Sequence, residues 1–262
     1  MSLIVIWFKR DLRLADHPAL EAAIAQVRGR PGGRLVALHA IEPSQWGQAP
    51  ASLRHHQVQR AALTSLAAAL FELNIDFSIE VGEVTDILAR WHAQEPIESL
   101  FSTQETGGQA SYARDRAVAA WCRAHGVAWH QSRDRGVLRP LPDRDAWSGQ
   151  WERFMGASRR PVPAPLPERN RRQPRLARLP EIHRVAELVS AAPADCPVIE
   201  DDWLLATAPV TAEARLADFL DRRAREYRRG MSAPGPAINA CSRLSTPLAV
   251  GSLSSRTIVQ SV

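Results

Sequence analysis

Two stretches of the chain gather groups able to hold an anion. In WFKRDLRLADHPAL, residues 7–20, an apolar run ends at Phe8 and is followed at once by Lys9, Arg10, Asp11 and Arg13. The pattern predicts a strand, a charged turn at its carboxyl end, and a helix capped by Asp16 with Pro18 in its first turn. On spacing alone, the simplest reading is a turn closed by salt bridges among its own charges. In CSRLSTPLAVGSLSSR, residues 241–256, a Ser-Arg-Leu-Ser loop leads into helical patterning. Its backbone N–H groups, the hydroxyls of Ser242 and Ser245 and the guanidinium of Arg243 together suit a pyrophosphate.

Other chemistries lack their residues. There is no GxxxxGK[ST], no GxGxxG after the first apolar run, no HExxH and no GxSxG, which removes the common nucleotide, metalloprotease and hydrolase readings. Cys122, Cys196 and Cys241 lie far apart with no CxxC spacing, so neither a disulfide framework nor a zinc site is expected, and all three are read as reduced. His55 and His56 open a helical pattern and are read as surface residues. No third ligand joins them, so no metal is assigned, and no catalytic residue is assigned either.

The elements that must position the two stretches follow from periodicity. Short apolar runs at 3–8, 35–40, 76–81, 97–102 and 127–131 read as strands. Between them, Val58, Ala62, Leu66, Ala69, Leu70 and Leu73, then Val84, Ile87, Leu88 and Trp91, then Val118, Trp121 and Cys122 recur at helical spacing. Five β/α repeats predict an α/β fold, a doubly wound, Rossmann-like parallel five-stranded sheet over residues 1–132. Ligands in such folds bind outside the carboxyl ends of the strands.

Residues 133–200 read as a Pro/Arg-rich connector. Between Arg133 and Arg184 stand 13 Arg against 6 acidic residues, so the net charge of +5 is concentrated there. These arginines either reach a polyanion or pair with acidic groups on the domains they join. Lys9 is the only lysine, which is read as genome composition. Periodicity returns after Pro209, with Thr211 as the expected N-cap, Glu213 in the first turn, and Leu216, Phe219, Leu220 and Tyr227 on one helix face. Residues 201–262 therefore read as the start of a helical domain, too short to close a core alone. No window holds the apolar residues of a membrane span and no signal peptide opens the chain, so a cytoplasmic location is expected.

Together, WFKRDLRLADHPAL and SRLS with LAVGSLSSR, in this order across a Pro-rich connector, resemble the DNA photolyase and cryptochrome family. The resemblance implies an antenna domain, a connector and a truncated start of an all-α FAD-binding domain. By position it places Tyr227, Ser242, Arg243, Leu244 and Ser245 around the FAD phosphates and ribose, an incomplete site. Cys241 stands where the family has threonine, and Thr246-Pro247-Leu248 where Ser-Pro-Tyr-Leu is common. Ala110 and Ser111 replace an Asn-Glu pair that holds a folate antenna, before Tyr112, Arg114 and Asp115. A deazaflavin, a ribolumazine or no antenna chromophore remain open.

The implied function is photolyase-type, FAD-dependent, light-driven repair of pyrimidine dimers in DNA, with the truncated chain expected to lack activity alone. Two alternatives stand beside it: a cryptochrome-like blue-light photoreceptor, and a standalone α/β nucleotide-binding module.

Overall fold

The computed structural model describes residues 2–48, 51–138, 143–172, 179–180 and 207–262. The five apolar runs form five parallel strands: β1 (Leu3–Phe8), β2 (Arg34–Ile41), β3 (Asp76–Val81), β4 (Ile97–Thr103) and β5 (Ala128–Ser132), in the order β3-β2-β1-β4-β5. Helices α1 (Pro18–Arg28), α2 (Pro43–Trp46), α3 (Leu53–Glu72), α4 (Val84–Gln94) and α5 (Gln109–Ala124) fill the crossovers. Strand β1 is buried at every position, and its two faces feed separate cores. Ile4, Ile6 and Phe8 pack with Leu20, Ile24, Leu63 and Leu70, whereas Leu3, Val5 and Trp7 pack with Ile87, Leu88, Val118 and Cys122. A strand apolar on both faces demands helices on both faces, which a doubly wound parallel sheet provides.

Two local expectations are corrected. The N-cap of α1 is His17 and not Asp16: the His17 Nδ1 accepts from the Leu20 N–H at 3.0 Å. That bond leaves the proton on Nε2, which donates to Asp11 at 3.0 Å. Asp16 instead adopts φ 49° and turns toward the other end of the chain. The second correction is His56, which is 1% exposed, edge-on to Trp46, with neither ring nitrogen bonded among the described residues. His39 is buried too and shares its Nδ1 with the Phe8 carbonyl at 3.0 Å. Burial pushes both imidazoles down to about 4.

This pair makes acid destabilising. Unfolded histidine takes up a proton near pH 6.5, whereas the folded chain refuses it until about 4, so stability present above 6.5 drains away as pH falls through that window. His56→Leu removes two unpaired nitrogens at little cost in packing. We expect it to match or exceed wild type at pH 7 and to lose less stability between pH 7 and 5, by guanidinium unfolding. Glu42, pushed up to about 7 by burial, titrates in the opposite sense, so the difference between the two proteins isolates His56. An equal acid loss in both would contradict the assignment.

The Pro/Arg stretch holds a helix that the sequence reading did not foresee, α6 (Trp147–Gly156). Farther on, Asn170 clips the connector to the amino end of the sheet. Its side chain accepts from the Leu35 N–H and donates to the carbonyls of Leu35 and Asn74. Arg171 lies over the Phe71 ring at 3.9 Å and donates to the Phe71 carbonyl, and the Arg172 N–H reaches the Asp76 carboxylate at 3.0 Å. Arg171 thus holds the connector to α3 and Arg172 holds it to the start of β3 through its backbone, with its guanidinium 3.5 Å from Glu95, which favours the structural reading for them. The rest of the 133–200 connector, including Arg175 and Cys196, and the opening of the 201–262 segment lie outside the described residues at 139–142, 173–178 and 181–206.

After it come α7 (Pro209–Asp218), a π-helical turn (Phe219–Arg223), α8 (Ala224–Gly230), α9 (Pro234–Ala240), α10 (Ser245–Val250) and α11 (Ser255–Ser261). Helix α7 begins at Pro209, behind Ala208, because proline's fixed φ suits the first helical position. Thr211 is thus inside the first turn rather than the cap, and Glu213 falls beyond it. Ala212, Leu216, Leu244 and Leu253 close a small core. Among the described residues no helix is long and apolar enough to cross a membrane.

Candidate functional site

The two anion-ready stretches, some 230 residues apart in sequence, face each other across one seam. The Leu12 N–H donates to the Val250 carbonyl at 3.1 Å. Arg13, 3% exposed, donates to the carbonyls of Gly251 at 3.0 Å and Asp16 at 2.8 Å, and pairs with the Asp134 carboxylate. Burial would lower its affinity for the proton, but Asp134, Asp11 and Asp16 more than offset this and hold it charged. Arg256 completes the seam from the other side. It is buried, pairs with Asp16 and lies over the Phe154 ring at 4.4 Å. Arg135 bridges the carbonyls of Arg10 and Leu248.

Gly251 is the point of closest approach. It ends α10 at φ +75°, and a Cβ there would stand 2.0 Å from the Arg10 carbonyl oxygen and 2.5 Å from the Asp11 Cα. The expected salt-bridged turn is thereby corrected. Lys9 and Arg13 take their ionic partners outside the turn, from Asp115 and Asp134, and the Asp11 carboxylate accepts hydrogen bonds from His17 and Thr103, since a buried charge must be matched wherever the fold supplies a partner.

Helix α10, anchored in this way, carries the Ser242–Ser245 loop at its start. Three arginines stand in or beside that loop, and their guanidiniums bond backbone carbonyls in it and next to it. Arg215 donates to the Arg243 carbonyl at 3.3 Å and Arg223 to the Cys241 carbonyl at 2.7 Å, while the Arg243 guanidinium folds back onto the Ile238 carbonyl. Burial lowers the Arg215 pKa, and repulsion from Arg223 and Arg243 lowers it further. Arg223 is also paired with Asp218 at 2.7 Å. Like charges drawn together this way fit a dianionic pyrophosphate, which would relieve their repulsion.

Of the residues expected from sequence, Ser242, Arg243, Leu244 and Ser245 share the loop, with Leu244 buried in the small core and Ser245 exposed. Tyr227 lies on α8, where its ring meets Phe219 edge-on at 5.8 Å. Arg215 and Arg223 were missed. Nothing local marks them, because their relation to the loop is set by how α7 and the π-helical turn pack against it.

A second charged cluster sits at the carboxyl ends of the strands. The order β3-β2-β1-β4-β5 reverses direction between β1 and β4, the place where such folds open a crevice. There Lys9 pairs with Asp115, and Arg114 pairs with Glu42, Glu105 and Asp115 while lying 4.8 Å over the Trp7 ring. These side chains are engaged with one another, so none is taken as a contact for an antenna chromophore. Ser111 is buried against the Gly108 carbonyl, and Tyr112 is exposed.

The family model for DNA photolyase matches residues 4–144, more than half of the chain. The chain belongs to the DNA photolyase family. It is 26% identical over 283 aligned positions to the deoxyribodipyrimidine photo-lyase of Vibrio cholerae serotype O1, covering 97% of this chain and 54% of that protein. It is 28% identical over 107 positions to cryptochrome DASH of Gloeobacter violaceus, covering 39% of this chain and 19% of that protein. Among solved structures it resembles a class III photolyase from Agrobacterium tumefaciens, at TM-score 0.71, 18% identity, 99% of this chain and 52% of that one. It also resembles a cryptochrome from Synechocystis sp. PCC6803, at TM-score 0.74, 19% identity, 100% of this chain and 55% of that one.

The chain thus spans about half the length of the photolyase and the two solved structures. Within the photolyase family match lie Arg13, Asp16 and Asp134, the sheet side of the seam. The Ser242–Ser245 loop lies beyond it.

Proposed function

We propose that this chain supplies the antenna-type α/β domain and the pyrophosphate-binding end of an FAD site in a light-driven repair protein acting on pyrimidine dimers in DNA. The observation that carries the proposal is the clustering of Arg215, Arg223 and Arg243 about the Ser242–Ser245 loop, at the start of the helix whose other end Arg13 ties to the sheet domain. In this reading the guanidiniums neutralise the FAD phosphates and the Ser242 and Ser245 hydroxyls bond phosphate oxygens. Tyr227 flanks the ribose. Bound flavin supplies the light-driven electron that opens the dimer. The three positive charges give the loop a field that attracts the cofactor's phosphates, and binding relieves their mutual repulsion.

The likeness to a cryptochrome from Synechocystis and the partial match to cryptochrome DASH favour a second reading, a blue-light receptor with the same cofactor. Deleting the gene in the native host and counting pyrimidine dimers after ultraviolet exposure separates the two. Repair predicts that dimer loss under blue light falls and that Arg243→Gln reproduces the defect. Dimer loss unchanged by the deletion would contradict repair, and a light response lost without it would favour the receptor. A standalone α/β nucleotide module predicts no defect of either kind.

A further inference from the structure

One end of the core between β2 and α3 is lined by buried polar atoms that the FAD site does not use. His39 follows Leu35 and Ala37 on the face of β2 that packs with Leu63, Leu66 and Leu70 of α3. On α3, His56 and Gln59 precede those leucines at the spacing that keeps all of them on one helix face. His39 and His56 are buried, and the His39 Nε2, both ring nitrogens of His56 and the Gln59 Oε1 have no hydrogen-bond partner among the described residues. The two imidazoles stand close enough to act on each other electrostatically. Buried polar groups are costly when unpaired, and several facing one region mark a place for a bound occupant.

We propose that His39, His56 and Gln59 form a binding site for a divalent metal ion with the ligand preference of zinc, which ties the first turns of α3 to β2. The donor set carries the assignment. The His39 Nδ1 donates to the Phe8 carbonyl at 3.0 Å, which leaves the lone pair on Nε2. A backbone bond of this kind is what holds a ligating imidazole in its tautomer. Neither nitrogen of His56 is engaged, so either can offer its lone pair. Imidazole nitrogens suit zinc and its neighbours, whereas calcium and magnesium take oxygen ligands. No third histidine, cysteine or carboxylate joins the pair among the described residues, so the Gln59 amide oxygen is the third ligand and water the fourth, the coordination of an open site. The doublet His55–His56 is thereby split: His55 is exposed, and the partner of His56 comes from β2. The Asp11 and Glu105 carboxylates extend to His39 a negative potential that favours a cation, opposed in part by Arg114. Arg60, whose charge reaches His56, is turned to the Pro180 carbonyl. The site stands apart from the FAD and DNA readings and does not depend on them.

The test takes the full chain, stripped with a chelator, and titrates it with cobalt(II) or zinc(II). Wild type should bind one ion per chain, give the visible absorption of four-coordinate cobalt, and show a denaturant midpoint raised by zinc, as any ligand confined to the folded state requires. His56→Leu, expected to be at least as stable as wild type without metal, should lose the cobalt absorption and bind zinc at least about tenfold more weakly. His55→Ala should behave as wild type. Gln59→Glu places a carboxylate where the amide stood, so it should bind zinc more tightly and gain more in midpoint on adding it. A wild-type chain with neither cobalt absorption nor a zinc-dependent midpoint, the result if water alone fills the recess, would overturn the site. So would His56→Leu that binds zinc as wild type does, or His55→Ala that loses the ion, since either places it on surface imidazoles. Weaker binding by Gln59→Glu would remove Gln59 from the ligand set and overturn the site as drawn.

Discussion

Arg13→Met is expected to lower stability by about 3 kcal/mol, the low end of the cost of breaking a buried ion pair, because Arg135 still faces the Asp134 carboxylate. Asp134 would lose its nearer, buried cation and keep only the half-exposed Arg135 at 3.8 Å, and the carbonyls of Gly251 and Asp16 would lose donors. The sheet core does not depend on Arg13, so damage should concentrate on the seam. Limited proteolysis should cut within 207–262 while the sheet persists. In wild type the same segment should resist, because α10 and α11 are pinned to the sheet domain by Arg13 and Arg256. The double variant Arg13→Met/Asp134→Leu should recover part of the loss, since it removes the buried carboxylate while the carbonyls of Gly251 and Asp16 stay without the Arg13 donors. An unchanged unfolding midpoint for Arg13→Met would show that the seam is ornamental.

Gly251→Ala attacks the seam sterically. The residue sits at φ +75°, and its new Cβ would meet the Arg10 carbonyl oxygen at 2.0 Å. Left-handed strain costs an alanine roughly 1–2 kcal/mol, and the overlap can be relieved only by parting the turn from α10, at about 1–3 kcal/mol more. A total near 3 kcal/mol is expected by denaturant unfolding. Because this opens the interface that Arg13 holds, Gly251→Ala combined with Arg13→Met should cost clearly less than the sum of the two. Simple additivity would mean that the two residues act in separate places.

The sheet was legible in sequence because its signal is local. Each strand is a short apolar run, and β3 falls on the very residues 76–81 that periodicity marks. The family was legible because two motifs occur in a fixed order. Their contact was not: Arg13 and Gly251 lie 238 residues apart, and neither helical nor strand period encodes such a pairing. His56 was misread because a histidine doublet at a helix start is polar by type, whereas Trp46 and the α3 packing bury it. Helix α6 was hidden by the prolines and arginines around it, although Trp147, Trp151 and Phe154 stand at helical spacing. In the site, the loop residues were found by resemblance, while Arg215 and Arg223 reach the loop only through tertiary packing.

The central claim is that the Ser242–Ser245 loop with Arg215, Arg223 and Arg243 forms the phosphate end of an FAD site. The most direct measurement is an equilibrium titration of the chain with FAD, with ADP and with riboflavin, for wild type and Arg243→Gln. The residues gathered at the loop address phosphate and ribose, so FAD and ADP should bind within about threefold of each other, riboflavin should not bind, and gel filtration should strip the FAD. Loss of one charge-assisted phosphate contact, about 1.5–3 kcal/mol, should weaken FAD and ADP alike by roughly tenfold or more in Arg243→Gln. Riboflavin binding as tightly as FAD, or an Arg243→Gln variant with wild-type affinity for both nucleotides, would contradict the claim.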